Sequence, residues 1–269
     1  MKALEQIGAW PATTAAVAVV TEAGVVARRG PEDLPLRWAS VTKLLTTYAV
    51  LVAAEEGVID LDEQAGPPGA TVRHLLAHAS GLPFEGDKPI GRPGERRIYS
   101  NTGFDLLGEI LAERAEMAFT DYLRAAVLEP LELGGVELRG RPSEGLHGPL
   151  GHLARFAGEL LAPTLLAPET VAEATEVVYP GLAGVLPGIG RQEPNDWGLG
   201  FELKNGKRPH WTGSRNSPRT FGHFGGAGTF LWVDPEARCA CACLTDLGFD
   251  EWALAAWPPL SDAILEALG

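Results

Sequence analysis

The feature that most restricts what this chain can fold into is a change of hydrophobic period along it, two-residue alternation towards both ends and three-to-four-residue spacing between. Alternation puts successive side chains on opposite faces of a strand, whereas the longer spacing lines one face of a helix. Thr13 to Val20 and Val25 to Arg28 are β-rich runs around Glu22-Ala23-Gly24, a hairpin signal. Ser40 to Glu56 carries Leu44, Leu45, Tyr48, Leu51 and Val52 at helical spacing, with Gly57 as a stop. Val72 to His78, Thr102 to Glu116, Thr120 to Leu128 and Leu150 to Leu161 continue the helical pattern between Gly and Pro loops. After Trp197 the short period returns in Gly198 to Lys204, Gly228 to Val233 and Cys239 to Leu244. A terminal helix over Asp250 to Leu268 follows, interrupted by Pro258-Pro259. Segregated elements of this kind predict an α+β fold: an antiparallel sheet built from N- and C-terminal segments, flanked by helices, with an inserted mainly helical domain. The expected division is a sheet domain from 1–62 and 190–269 and a helical insert over 63–189. The loops Gly181 to Asn195 and Thr212 to Arg219 are long enough either to frame a site or to move freely.

Charge narrows the partners. The 269 residues hold 22 Lys and Arg against 35 Asp and Glu, a formal charge of −13. Nucleic acids and anionic membrane surfaces are therefore disfavoured, because both are bound through clustered Lys and Arg. No run reaches the roughly 20 apolar residues that span a bilayer; the best, Leu44 to Ala54, is closed by Glu55 and Glu56. Near the start, Glu5, Gln6 and Pro11 follow Lys2, and Ala15 to Val20 is short for a secretory core, so the expectation is an unexported, cytoplasmic protein. Cys239, Cys241 and Cys243 alternate along one strand, which fits apolar filling better than disulfides or zinc.

Three short motifs could carry chemistry. Ser40-Val41-Thr42-Lys43 opens a helix, and residues three apart share a helix face, so hydroxyl and amine can meet. A serine becomes a nucleophile beside a base, and a lysine becomes a base when desolvation and the helix N-terminus lower its pKa. The alternative is a helix cap and a solvated lysine. Tyr99-Ser100-Asn101 supplies a phenol for proton transfer and an amide that can hold a substrate or a lysine; equally, Ser100 or Asn101 could cap the next helix while Tyr99 packs in the core. His223-Phe224-Gly225-Gly226 precedes a strand, where glycines let a ligand approach a sheet edge; its histidine could also be structural. Lys204-Asn205-Gly206 reads as a tight hairpin turn instead. Trp38, Trp197, Trp211, Phe221, Phe224 and Trp232 are candidate cleft aromatics, each with a core position as the alternative.

Taken together, Ser-x-x-Lys, Tyr-x-Asn 59 positions later and His-x-Gly a further 124 on resemble the serine β-lactamase and penicillin-binding-protein superfamily. Trp38 to Asp62, Thr71 to Leu82, Tyr99 to Gly103 and Phe221 to Pro235 are also similar to segments of that superfamily. With tyrosine opening the second motif, the resemblance is greatest to the branch of class C β-lactamases, D-alanyl-D-amino-acid hydrolases, family VIII carboxylesterases and related acyltransferases. It implies a β-lactamase/transpeptidase-like fold with Ser40 as acylated nucleophile, Lys43 as its activating partner and Tyr99 as shared acid and base. It further implies Asn101 orienting Lys43 or the substrate, His223 positioning the substrate carboxylate or Tyr99, and an oxyanion hole of the Ser40 and Gly226 amides beside Gly225. Many relatives have lysine where His223 stands, so recognition of an anionic lactam is weakened here. The implied activity is a serine hydrolase of ester or amide bonds working through an acyl-enzyme, foremost a carboxylesterase. A β-lactamase, a D-Ala-D-Ala carboxypeptidase, an acyltransferase and a non-catalytic acyl-ligand-binding homologue are the alternatives. The expected partner is a small ester, amide or lactam; no metal or other cofactor is implied.

Overall fold

The computed structural model describes residues 1–269. A 3₁₀ helix over Lys2–Ala9 leads into strands β1 (Ala15–Thr21) and β2 (Gly24–Arg29), then β3 (Leu36–Arg37), a 3₁₀ turn at Ala39–Val41 and helix α1 (Thr42–Glu55). Helices α2 (Val72–Leu76), α3 (Asn101–Arg114) and α4 (Phe119–Leu123) follow, the last running into a π-helical turn at Arg124–Leu128. Next come β4 (Glu137–Leu138), β5 (Leu146–Gly148), α5 (Leu150–Leu161), α6 (Pro168–Ala174) and the pair β6 (Gly184–Leu186) and β7 (Gly190–Gln192). The chain closes with β8 (Glu202–Leu203), β9 (Phe221–Gly225), β10 (Thr229–Asp234), β11 (Cys239–Thr245) and α7 (Glu251–Leu268).

The main sheet has the order β2-β1-β11-β10-β9-β8, and every neighbouring pair is antiparallel. Both ends of the chain therefore meet at β1 and β11, as the return of the short period predicts. Alternation decides what covers each face. Cys239, Cys241 and Cys243 join Val17, Val19, Phe230 and Trp232 under α7 and the N-terminal helix, while Ala240, Ala242 and Leu244 face the larger core with α1 and α5. The cysteines are free and buried, fillers of one strand face. Helix α1 is buried on all sides from Thr42 to Ala53, so its polar Lys43, Thr46 and Thr47 are inside the protein. No helix is long and apolar enough to cross a membrane.

Several local expectations are corrected. Helix α7 runs through Pro258-Pro259 without a break. Its buried stripe Ala253, Trp257, Leu260 and Ile264 seats it on the sheet. Each large apolar side chain buried there contributes roughly 1.5–3 kcal/mol, against about 0.5–1.5 kcal/mol for each hydrogen bond the prolines forgo. The strand expected over Gly198 to Lys204 shrinks to β8, because Gly200 turns at φ 75° with Thr47 Oγ1 only 1.7 Å from where a Cβ would stand. Asn205 does adopt a left-handed turn at φ 39°. Residues 204–220 then make a long excursion before β9, so no tight hairpin forms. The mainly helical stretch also contains β4 and β5, and β5 pairs with both β3 and β4 in a small second sheet.

Candidate active site

Ser40 is set in place by its neighbours. Trp38 is fully buried: its N–H donates to Leu146 O at 2.8 Å, its indole Nε1 to Gly148 O at 3.0 Å, and its carbonyl accepts from Thr229 Oγ1 at 2.8 Å. The chain leaves this anchor through Ala39, whose φ of 47° is a left-handed conformation that L-residues rarely adopt. The following 3₁₀ turn presents Ser40 half-buried at the start of α1. Gly225, at the end of β9, lies against this turn. A Cβ there would stand 2.5 Å from Thr229 Oγ1 and 2.6 Å from Trp38 O, so glycine is what lets the strand end approach Ser40.

One helical turn on, the Lys43 Nζ donates to Asn101 Oδ1 at 2.6 Å, to Ser143 O at 2.9 Å and to Ser40 Oγ at 3.4 Å. Burial strips the ammonium of water and lowers its pKa from 10.5 to about 7, against the pull of Asp105, Glu144 and Glu85. Near neutrality about half of the amine is free to accept a proton. Asn101 is itself buried and its amide is occupied at both ends, since Nδ2 donates to Glu85 Oε1 at 3.0 Å. Its side chain thus holds Lys43 instead of facing the cavity.

Tyr99 precedes α3, which is capped by the neighbouring Ser100 through Gly103 N at 2.9 Å. The Tyr99 hydroxyl lies 3.4 Å from His223 Nε2. His223 Nδ1 is 2.6 Å from the Phe224 carbonyl, which can only accept, so Nδ1 carries the proton and the Nε2 lone pair faces the phenol. Burial, then the Lys43 charge, depresses the imidazole to about 3, while burial raises the Tyr99 phenol above its usual range. Both groups are neutral at physiological pH. Behind Tyr99, the buried His78 ring packs at 4.6 Å between centroids and its Nδ1 accepts from Ser100 N at 3.1 Å.

Ser40, Tyr99, His223 and Gly226 line one cavity of about 160 Å³, and Lys43, Asn101 and Gly225 stand behind its wall. The main-chain N–H groups of Ser40 and Gly226 donate to no protein acceptor. Of the aromatic candidates, Trp197 and Phe224 line the cavity, whereas Trp38, Trp211, Phe221 and Trp232 are buried away from it. The remaining wall is Phe84, Phe249, the Leu186-Pro187-Gly188 corner of the β6–β7 hairpin, and Glu202. The loop Gly181 to Asn195 therefore does frame the cavity. Glu202 is the one charged lining residue, and its carboxylate is already paired with Lys207 Nζ, His210 Nε2 at 2.8 Å and Trp211 Nε1 at 2.9 Å. Burial works against that charge, but the flanking His210 and Lys207 hold the carboxyl down to about 2. Sequence reasoning missed Phe84, Phe249 and Glu202: the two phenylalanines sit in no periodic segment or motif, and Glu202 lies in the alternating run Gly198 to Lys204, whose period marks a strand and not a cavity wall.

Comparison with known proteins identifies the family and the fold. A family profile described as Beta-lactamase matches residues 9–260. A crystal structure described as a beta-lactamase from Mycobacterium bovis is 51% identical, superposes with a TM-score of 0.98, and the match covers 99% of each chain. A hydrolase described as having promiscuous acyltransferase activity shares the fold at 16% identity, TM-score 0.81, over 98% of this chain and 96% of that one. A penicillin-binding protein of Bacillus subtilis is 25% identical over 177 residues, 52% of this chain but 38% of that protein, so the match spans well under half of this relative's length.

Proposed function

Since the chain belongs to the beta-lactamase family, whose fold serves hydrolases and acyl-transferases, we propose that it is a serine carboxylesterase acting on small esters that carry no charge beside the scissile carbonyl. The observation that carries this reading is the absence of an unpaired charge from the cavity wall, whose one charged residue, Glu202, is already held by Lys207, His210 and Trp211. No cationic side chain lines it, and His223 is an uncharged imidazole with its lone pair turned to Tyr99. A carboxylate-bearing lactam would find no counter-charge there, while apolar walls favour an uncharged acyl or alkyl group.

In this scheme Ser40 Oγ attacks the ester carbonyl carbon as its proton passes to the Lys43 amine. The carbonyl oxygen takes up the electron pair and is held by the free N–H groups of Ser40 and Gly226. As the C–O bond to the leaving alcohol breaks, Tyr99 gives its phenolic proton to that oxygen, and the proton held on Lys43 restores the phenol. Burial raises the Tyr99 pKa, so the phenol still carries its proton when the alcohol leaves. Water or a small alcohol then attacks the acyl-Ser40 ester by the reverse proton path. The test sets an uncharged short-chain chromogenic ester against a nitrocefin-type lactam at pH 7.5. A hydrogen bond to a charged group is worth about 1.5–3 kcal/mol, so kcat/KM for the ester should exceed that for the lactam by roughly ten- to a hundredfold. Lactam turnover equal to or faster than ester turnover would overturn the esterase reading.

A further inference from the structure

The two carbonyls that hold Lys43 belong to one charged network outside the cavity. Arg141 grips both oxygens of Glu85, Nη1 to Oε2 and Nη2 to Oε1, each at 2.8 Å. Its Nη1 also lies 3.2 Å from Asp105 Oδ2 and its Nη2 donates to Glu144 Oε1 at 3.0 Å. Asp105 in turn accepts the Ser143 N–H at 3.1 Å, fixing the peptide whose carbonyl receives Lys43. Glu85 is ionised, its carboxyl held down to about 2 chiefly by the Arg141 hydrogen bonds. A carboxylate only accepts, so Asn101 has to turn its NH₂ towards Glu85 and its carbonyl towards Lys43. The Asn101 and Ser143 carbonyls then claim both N–H bonds of a neutral amine, which leaves the Lys43 lone pair directed at Ser40 Oγ.

We propose that Glu85, Arg141 and Asp105 are positioning residues that act through Asn101 and Ser143 to aim the Lys43 amine at Ser40 and to balance the charge it feels. The inference rests on the reading of Ser40 as nucleophile and Lys43 as its base. Lys43 is faced by Asp105 on α3, by Glu85, and by Arg141 and Glu144 on the segment before β5; Tyr99, His78 and His223 also surround it. The last three are neutral near pH 7, the histidines because burial depresses them and the phenol because burial raises it. The three carboxylates stabilise the ammonium and Arg141 opposes it. Replacing Arg141 therefore prolongs the ammonium to higher pH, and neutralising Glu85 does the reverse while releasing the Asn101 amide to flip. The Glu85 and Arg141 side chains are 46% and 44% exposed, so substitution opens no core and salt screens their influence.

The experiment follows acylation of Ser40 by a fluorophosphonate, read by intact mass, as a function of pH in wild type, Glu85→Gln and Arg141→Gln. The acid limb of the wild type is expected near pH 7, displaced upward in Arg141→Gln and downward in Glu85→Gln. The plateau rate of Glu85→Gln should also fall about tenfold, a part of the roughly 10²–10⁴ that a positioned base supplies. At 1 M salt the three limbs should converge. Variants that fold and keep the wild-type limb, or that both move it the same way, would overturn the network. A wild type that is never labelled would overturn the Ser40 reading and the network with it, so the two failures are distinguishable.

Discussion

An unfolded chain would hold the Lys43 ammonium in water with a pKa of 10.5, and folding carries it to a site where the value is about 7. Between those values the unfolded chain binds more protons, so this residue makes stability rise with pH across that window, and below about pH 7 its full cost persists. Lys43→Met removes the titration. The stability of the variant relative to wild type should therefore be greatest at pH 6 and decline steadily towards pH 10, measured as the difference between thermal midpoints. A difference that stays constant with pH would contradict burial of a titrating amine. Ser40 and Lys43 could be paired from the sequence because one helical turn separates them. His223 and Tyr99 needed the order of motifs, since they are 124 positions apart. Glu85, Asp105 and Arg141 could not be found that way, because they touch nothing that reacts and meet Lys43 only through Asn101 and Ser143.

Elements were legible where the period was strong and the rule local. The hairpin of β1 and β2, helices α1, α3 and α5, and strands β10 and β11 follow the expected spans closely. The two prolines of α7 misled because a backbone rule was applied without the sheet that holds the helix down. The three-residue strands β6 and β7 were too short to show a period, yet their turn walls the cavity. That turn carries the next prediction. Gly188 has φ 70°, and a Cβ on it would stand 2.5 Å from the Phe249 ring across the cavity wall. Gly188→Ala should raise KM for bulky esters several-fold while leaving kcat for the smallest ester nearly unchanged, because the hairpin touches none of the reacting groups. Equal losses on small and bulky esters in steady-state kinetics would show that the hairpin acts on the chemistry itself.

At the scale of the molecule, the sheet joins the two ends of the chain, the segment between them returns Lys43's partners to its flank, and both sheet faces are covered. The chain's −13 charge is outside the cavity apart from Glu202, which is internally paired. Competing nucleophiles are suppressed as well: burial pushes the Cys239 thiol up to about 12 and raises those of Cys241 and Cys243 well above the usual thiol range. Whether Ser40 is the acylated residue is therefore open to direct observation. Native protein mixed with an activated ester, quenched in acid within the first turnover and digested should show the mass of one acyl group on the peptide containing Ser40, and none on any peptide of Ser40→Ala. An acyl group recovered on another residue, or ester turnover by Ser40→Ala at the wild-type rate, would contradict the account.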